Sequence, residues 1–216
     1  MRAQRYVLVF DAIRSILETS GVENLTISNI AKISQLHPNT INYYFNGKID
    51  MLMRFYTYMS DNERRELPDA YTHIPPSHDD AVRSFLQLID FELFAAANRP
   101  HSFQKIIVYL YGMMDIHPQV KYYLEEQQEQ RYAFLRTVLA QYCDAGIVRP
   151  DRLEEGLSSL VMLETGYTVI FEYYNTPQML RSLACERARL ARLLISPRAE
   201  KYLDRYIPSQ SLLMRA

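Results

Sequence analysis

Tryptophan is absent from this chain of 216 residues, glycine occurs six times and cysteine twice. Each scarcity excludes a class. The two cysteines, Cys143 and Cys185, lie too far apart for a metal-binding or redox pair. They make no disulfide scaffold, and they read as inert buried thiols in a reducing compartment. Few glycines, together with no alternation of β-branched and polar residues, speak against a sheet protein. A formal net charge of −1 excludes a basic coat over the whole chain. No run approaches the roughly 18 apolar residues of a membrane span, and Met1-Arg2-Ala3 leads into a stretch broken at once by Asp11 and Arg14, unlike a signal peptide. The expectation is a cytoplasmic protein without a membrane segment. No catalytic motif is visible. The five histidines (37, 73, 78, 101, 117) show neither HxxxH nor Glu-x-x-His spacing, so no metal, no cofactor and no enzymatic activity are expected.

What is present is ample apolar material, 48% of the residues, recurring at intervals of three and four. That period predicts an all-α chain with a sizeable core. Tyr6, Phe10, Ile13 and Leu17 form one stripe, with Gly21 placed to cap its C-terminal end. Thr26 suits the N-cap of a short helix whose Ile27, Ile30 and Ala31 face inward. Ser34-Gln35-Leu36 reads as a turn, and His37-Pro38 opens another short helix, with proline where its missing N–H costs nothing. Asn46 is placed to cap a fourth helix with the stripe Leu52, Phe55, Tyr56 and Met59. Breaks at Leu67-Pro68 and Ile74-Pro75-Pro76 divide the chain into an N-terminal domain, 1–66, and a larger helical one, 67–216. Helices are predicted there at about 79–97, 101–115, 118–145, 152–174, 177–195 and 197–206.

The short helices near 27–45 carry the chemistry. With Pro38–Phe45 helical, Ile41 and Phe45 pack inward while Asn39, Asn42 and Tyr43 share the opposite face at i, i+3 and i+4. Such a face suits the major groove of double-stranded DNA. Asn bonds adenine through N6 and N7, worth about 1–3 kcal/mol of discrimination. Asn39 and Asn42 are therefore the expected base readers, and Thr40, Tyr43 and Lys48 the expected phosphate contacts. Thr26, Ser28 and Pro38 complete the expected DNA-binding set, Ser28 within reach of the backbone or a base edge. Six Lys/Arg against four acids leave residues 1–60 at +2, a basic bias of the right sign. Spacing alone is also satisfied by a plain helical hairpin with a solvated polar face.

The segment resembles the DNA-binding region of the TetR/AcrR family of bacterial transcriptional regulators. Gly21, Thr26, Ile30-Ala31, Thr40-Ile41, Tyr43-Tyr44-Phe45, Lys48, Asp50 and Leu52 stand where that family's pattern has matching residues, over about the first 55 positions. Departures are Gln35 at the usual turn glycine, His37 for the serine before the recognition helix, and Asn42 for the first tyrosine of the aromatic pair. Tyr44 replaces a histidine and Ile49 an acid. The resemblance implies a homodimer on a palindromic operator, most often as a repressor. It also implies a C-terminal helical bundle that binds a small effector.

For the rest, the residues must speak for themselves. Aromatic residues crowd 85–113 and 162–174, and Phe91, Phe94, Tyr109, Met113, Tyr167 and Phe171 are the expected walls of a site for a partly apolar or aromatic effector. Ordinary core is the competing reading. Small residues Gly156, Ser158, Ser159 and Gly166 alternate with apolar ones, so the helices at 152–174 and 177–195 are the expected dimer interface, against packing within one subunit. Glu164, Glu172 and Arg181 lie in apolar surroundings and suit either a polar ligand or an ion pair. The rival functions are an all-α helical-bundle enzyme and a helical interaction module without DNA binding.

Overall fold

A computed structural model describes residues 2–65, 67, 71, 73–98, 101–173 and 176–207, with side chains described at these positions save 2–4, 64, 95–98, 101 and 170–173. The chain is 82% helical, and no strand occurs among the described residues. Its helices are α1 (Arg2–Thr19), α2 (Ile27–Ser34), α3 (Pro38–Tyr44), α4 (Gly47–Arg65), α5 (His78–Asn98), α6 (His101–Met113), α7 (Pro118–Asp144), α8 (Leu153–Tyr173), α9 (Pro177–Leu194) and the single turn α10 (Glu200–Leu203). No described helix is long and apolar enough to cross a membrane.

The chain forms two compact units. One comprises Met1–Arg65 with Arg99–Glu126; the other comprises Glu66–Asn98 with Gln127–Ala216. The expected break in the sixties coincides with a unit boundary, but 99–126 returns to the first unit. A contiguous division at 66/67 has no means of showing that return. The reason is packing: Phe103, Ile106, Ile107, Leu110, Val120 and Leu124 are buried in the same cluster as Phe10, Ile13, Leu17, Ile30, Ile41, Leu52 and Phe55. Polar bonds fasten the same unit. The Lys105 ammonium donates to the Leu17 carbonyl at 2.9 Å, and the Tyr123 hydroxyl to the Met53 carbonyl at 2.8 Å.

The second unit buries Phe85, Leu88, Leu139, Tyr142, Leu157, Leu160, Leu183, Leu190 and Leu194. At Gly156 an added Cβ would sit 2.2 Å from the Leu194 side chain, so this glycine exists to let α8 approach α9 within the subunit. That removes Gly156 from the expected dimer face. Around Gly166 there is open space. Two carboxylates, Glu92 and Glu164, are also buried here. The Tyr71 hydroxyl and the Arg131 guanidinium both donate to Glu92, and Arg131 lies 3.7 Å from Glu164. Glu164 is thus half of an ion pair, one of its two expected readings, and Arg181 is exposed. The Glu172 side chain lies outside the described ones.

Candidate nucleic-acid interface

Thr26 opens α2 as expected: its hydroxyl accepts from the Asn29 N–H at 3.2 Å. Ile30 and Ala31 are buried. The turn after α2 is made by Gln35 in the left-handed region, φ 56°, the one described non-glycine residue there. A side chain in that conformation costs about 1–2 kcal/mol, which the usual glycine avoids. His37 then caps α3. Its Nδ1 accepts from the Asn39 N–H at 3.2 Å, and Pro38 occupies the first helical position.

This entry sets the rotation of α3. Ile41 has no solvent exposure and Phe45 has 3%, whereas Tyr43 is 79% exposed and Pro38, Asn39 and Asn42 are exposed beside it. Thr40 is half-buried at the edge of this face. The Phe45 ring meets Tyr6 edge-on at 5.4 Å, and Tyr44 packs on the same Tyr6 at 5.2 Å with Arg5 Nη1 3.5 Å from its hydroxyl. Tyr44 therefore anchors α3 to α1, and the change from the usual histidine falls on the packed flank. The helix is seven residues long and ends at Tyr44, with Phe45 already extended. Among the expected DNA residues, Pro38, Asn39, Asn42 and Tyr43 share one exposed face with Thr40 at its rim. Ser28 is exposed on α2, and the Thr26 hydroxyl is engaged as a cap.

Lys48 is placed differently from expectation. Its Nζ donates to the Val22 carbonyl at 3.0 Å and lies 5.1 Å from the centre of the Tyr109 ring. Burial lowers its pKa below the ordinary lysine value, with Glu23 nearby acting in the opposite sense. The ammonium is turned inward because a carbonyl and an aromatic face lie within its reach. The sequence offers no local signal for this, since Val22 and Tyr109 are 26 residues before and 61 after it. Asn46 immediately precedes α4 as expected, and Asp50 Oδ2 in the first turn reaches back to accept from its N–H at 2.9 Å.

The expected effector walls separate. Tyr109 and Met113 pack against the core of the first unit, whereas Phe91, Phe94 and Tyr167 pack against that of the second. The Phe171 side chain lies outside the described ones. Phe91 meets Tyr71 edge-on at 5.5 Å, next to the Glu92–Arg131 pair. A surface cavity of about 380 Å³ opens between the Ile74–Ala81 stretch and Gln141, Ala145 and Ile147, and none of the five expected walls with described side chains lines it. Among the described residues no group of three or more His, Cys, Asp or Glu is arranged to hold a metal ion.

A search against protein-family models finds no match, and none is found among curated proteins. Solved structures do match over nearly the whole chain. A TetR transcription regulator from Haloarcula marismortui aligns with a TM-score of 0.73 at 16% identity, covering 90% of this chain and 100% of that one. A TetR transcriptional regulator from Agrobacterium tumefaciens gives 0.65 at 15% identity, over 93% and 98% of the two chains. A TetR-family transcriptional regulator from Marinobacter aquaeolei gives 0.62 at 16% identity, over 97% of each. At such identities the likeness is one of fold. This chain is folded as TetR-family regulators are, an N-terminal helix-turn-helix followed by a helical domain.

Proposed function

We propose that the protein is a DNA-binding transcriptional regulator, a ligand-responsive repressor that binds a palindromic operator as a homodimer. The observation that carries this reading is the face of α3: Asn39, Asn42 and Tyr43 stand exposed around a helix whose Ile41 is fully buried. A rigid, short helix with amides outward is what base reading in a major groove requires. Asn39 and Asn42 read bases; Thr40 and Tyr43 bond phosphates from the rim. Ser28 joins them from α2. Lys48, held inward by Val22 and Tyr109, is left out of the phosphate set.

Dimerisation is assigned to α8 and α9, where Met162 is 74% exposed, Gly166 has open space around it and Leu180 is exposed. A two-fold pair of this kind places its recognition helices about 34 Å apart, one DNA turn, or a little more. An effector, partly apolar or aromatic, binds in the second unit near Phe91, Phe94 and Tyr167. It acts by favouring one of two dimer geometries, which requires unequal affinity for them.

The test is a salt titration of binding to the duplex immediately upstream of the coding sequence, alongside random duplex of equal length. Preference for the upstream DNA is expected at every salt concentration, and Asn39→Ala relaxes preference at one base pair by about 1–3 kcal/mol. Equal affinity for both duplexes at low salt overturns the reading.

A further inference from the structure

Resting on the DNA-binding reading, we infer that the Arg5 guanidinium of α1 grips a DNA backbone phosphate on the flank of α3. Charge is the starting point. Residues 1–60 hold six cationic side chains, and phosphate binding needs some of them outward. The Lys48 ammonium is engaged by the Val22 carbonyl, and Arg54 bonds Asp50 at 2.9 Å. Arg14 lies part-buried, with Nη2 3.4 Å from the Met59 sulfur. The Arg2 side chain lies outside the described ones. Arg5 and Lys32 are left, both exposed, and it is Arg5 that a hydrogen bond ties to α3. Its Nη1 donates to the Tyr44 hydroxyl at 3.5 Å, the outer limit of such a bond. That contact fixes where the guanidinium is without using it up. The group carries five N–H donors, and no carboxylate pairs with it among the described residues. Helix α1 itself gains nothing from the charge. The residues three and four further on are Leu8 and Val9, and a cation in the first turn opposes the helix dipole. The partner is a phosphate because of where Tyr44 stands. Successive helical residues turn by about 100°, so Tyr44 lies off the face shared by Asn39, Asn42 and Tyr43. Its ring packs on Tyr6 of α1 while staying 5.3 Å from the Tyr43 ring. Arg5 is therefore beside the amide face and not on it, on the side of the groove wall, and its planar fork matches two phosphate oxygens.

Arg5→Gln removes the charge, Arg5→Lys keeps it, and Tyr44→Phe removes the tie to α3. Each variant and the wild-type chain are titrated with salt on the upstream duplex and on random duplex of equal length. Arg5→Gln is expected to lower the salt slope by about one unit on both duplexes. At roughly 0.15 M salt it binds about five-fold more weakly. Its preference for the upstream duplex and its thermal midpoint stay at wild-type values. Arg5→Lys and Tyr44→Phe are expected to keep the wild-type slope. A single neutral methylphosphonate in the upstream half-site is expected to weaken the wild type and leave Arg5→Gln unaffected. An unchanged slope in Arg5→Gln, or a phosphate profile identical to wild type, overturns the contact. So does a slope lost equally in Arg5→Lys. If Tyr44→Phe reproduces the loss seen in Arg5→Gln, Arg5 acts only by positioning α3, and the contact is overturned. All of these outcomes leave the regulator reading intact while the wild type prefers the upstream duplex. Equal wild-type affinity for both duplexes overturns that reading, and a slope change in Arg5→Gln on random duplex then still supports the contact. Absence of binding to either duplex overturns both.

Discussion

The α3 face of one compact unit and the interior of the other treat polar side chains in opposite ways. In the first, the amides and hydroxyls of α3 stand on the surface over a dry interior of Phe10, Ile41 and Phe55. In the second, charged groups go inside: Glu92 and Glu164 are buried beside Arg131, with Tyr71 donating to Glu92. A surface amide costs the fold little and is available to an outside partner. A buried carboxylate is tolerable only when paired, so it commits the fold before it serves any ligand. The exposed amides of α3 are thus available to an outside partner, while the buried carboxylates of the second unit first specify how its helices pack.

The largest effect that sharpens this contrast is expected from Arg131→Met. It leaves two buried carboxylates without their shared guanidinium and destabilises the protein by about 3–5 kcal/mol, read from chemical denaturation. A loss under about 1 kcal/mol breaks the contrast, because the pair then behaves like a surface one. A smaller effect is expected from Lys48→Met: removal of the Val22 bond and the Tyr109 contact lowers stability by about 1 kcal/mol, while the salt slope of DNA binding stays unchanged. A slope reduced by about one unit returns Lys48 to the phosphate contacts. The smallest concerns the thiols. Cys185 is exposed, contrary to the expected burial, whereas burial and the nearby Asp144 push the Cys143 thiol up. With little thiolate at neutral pH, Cys143 is expected to react with a disulfide reagent after Cys185, and faster as pH rises. Equal rates at neutral pH contradict that order.

How much was legible divides along the same line. Thr26 as a cap, Pro38 at the first position, Ile41 and Phe45 inward and Asn39, Asn42 and Tyr43 outward all follow from local spacing, and the structure has them so. The inward turn of Lys48, the separation of Tyr109 and Met113 from Phe91 and Tyr167, and the different surroundings of Gly156 and Gly166 were not legible. Each depends on a residue far along the chain. His37 lies between the two cases: its place before Pro38 is visible in sequence, but the nitrogen that caps the helix is known only from the geometry.

Sequence by itself determined that this chain is helical and that a short helix begun by His37-Pro38 buries Ile41 and turns Asn39, Asn42 and Tyr43 outward. The 3.6-residue period and the cap residues act within one or two turns, and they are written consecutively. The tertiary structure alone decided that 99–126 returns to the first unit, that Lys48 turns toward Val22, and that Glu92 meets Arg131 inside the second. Periodicity states which side of a helix is apolar. It does not state which other helix arrives there.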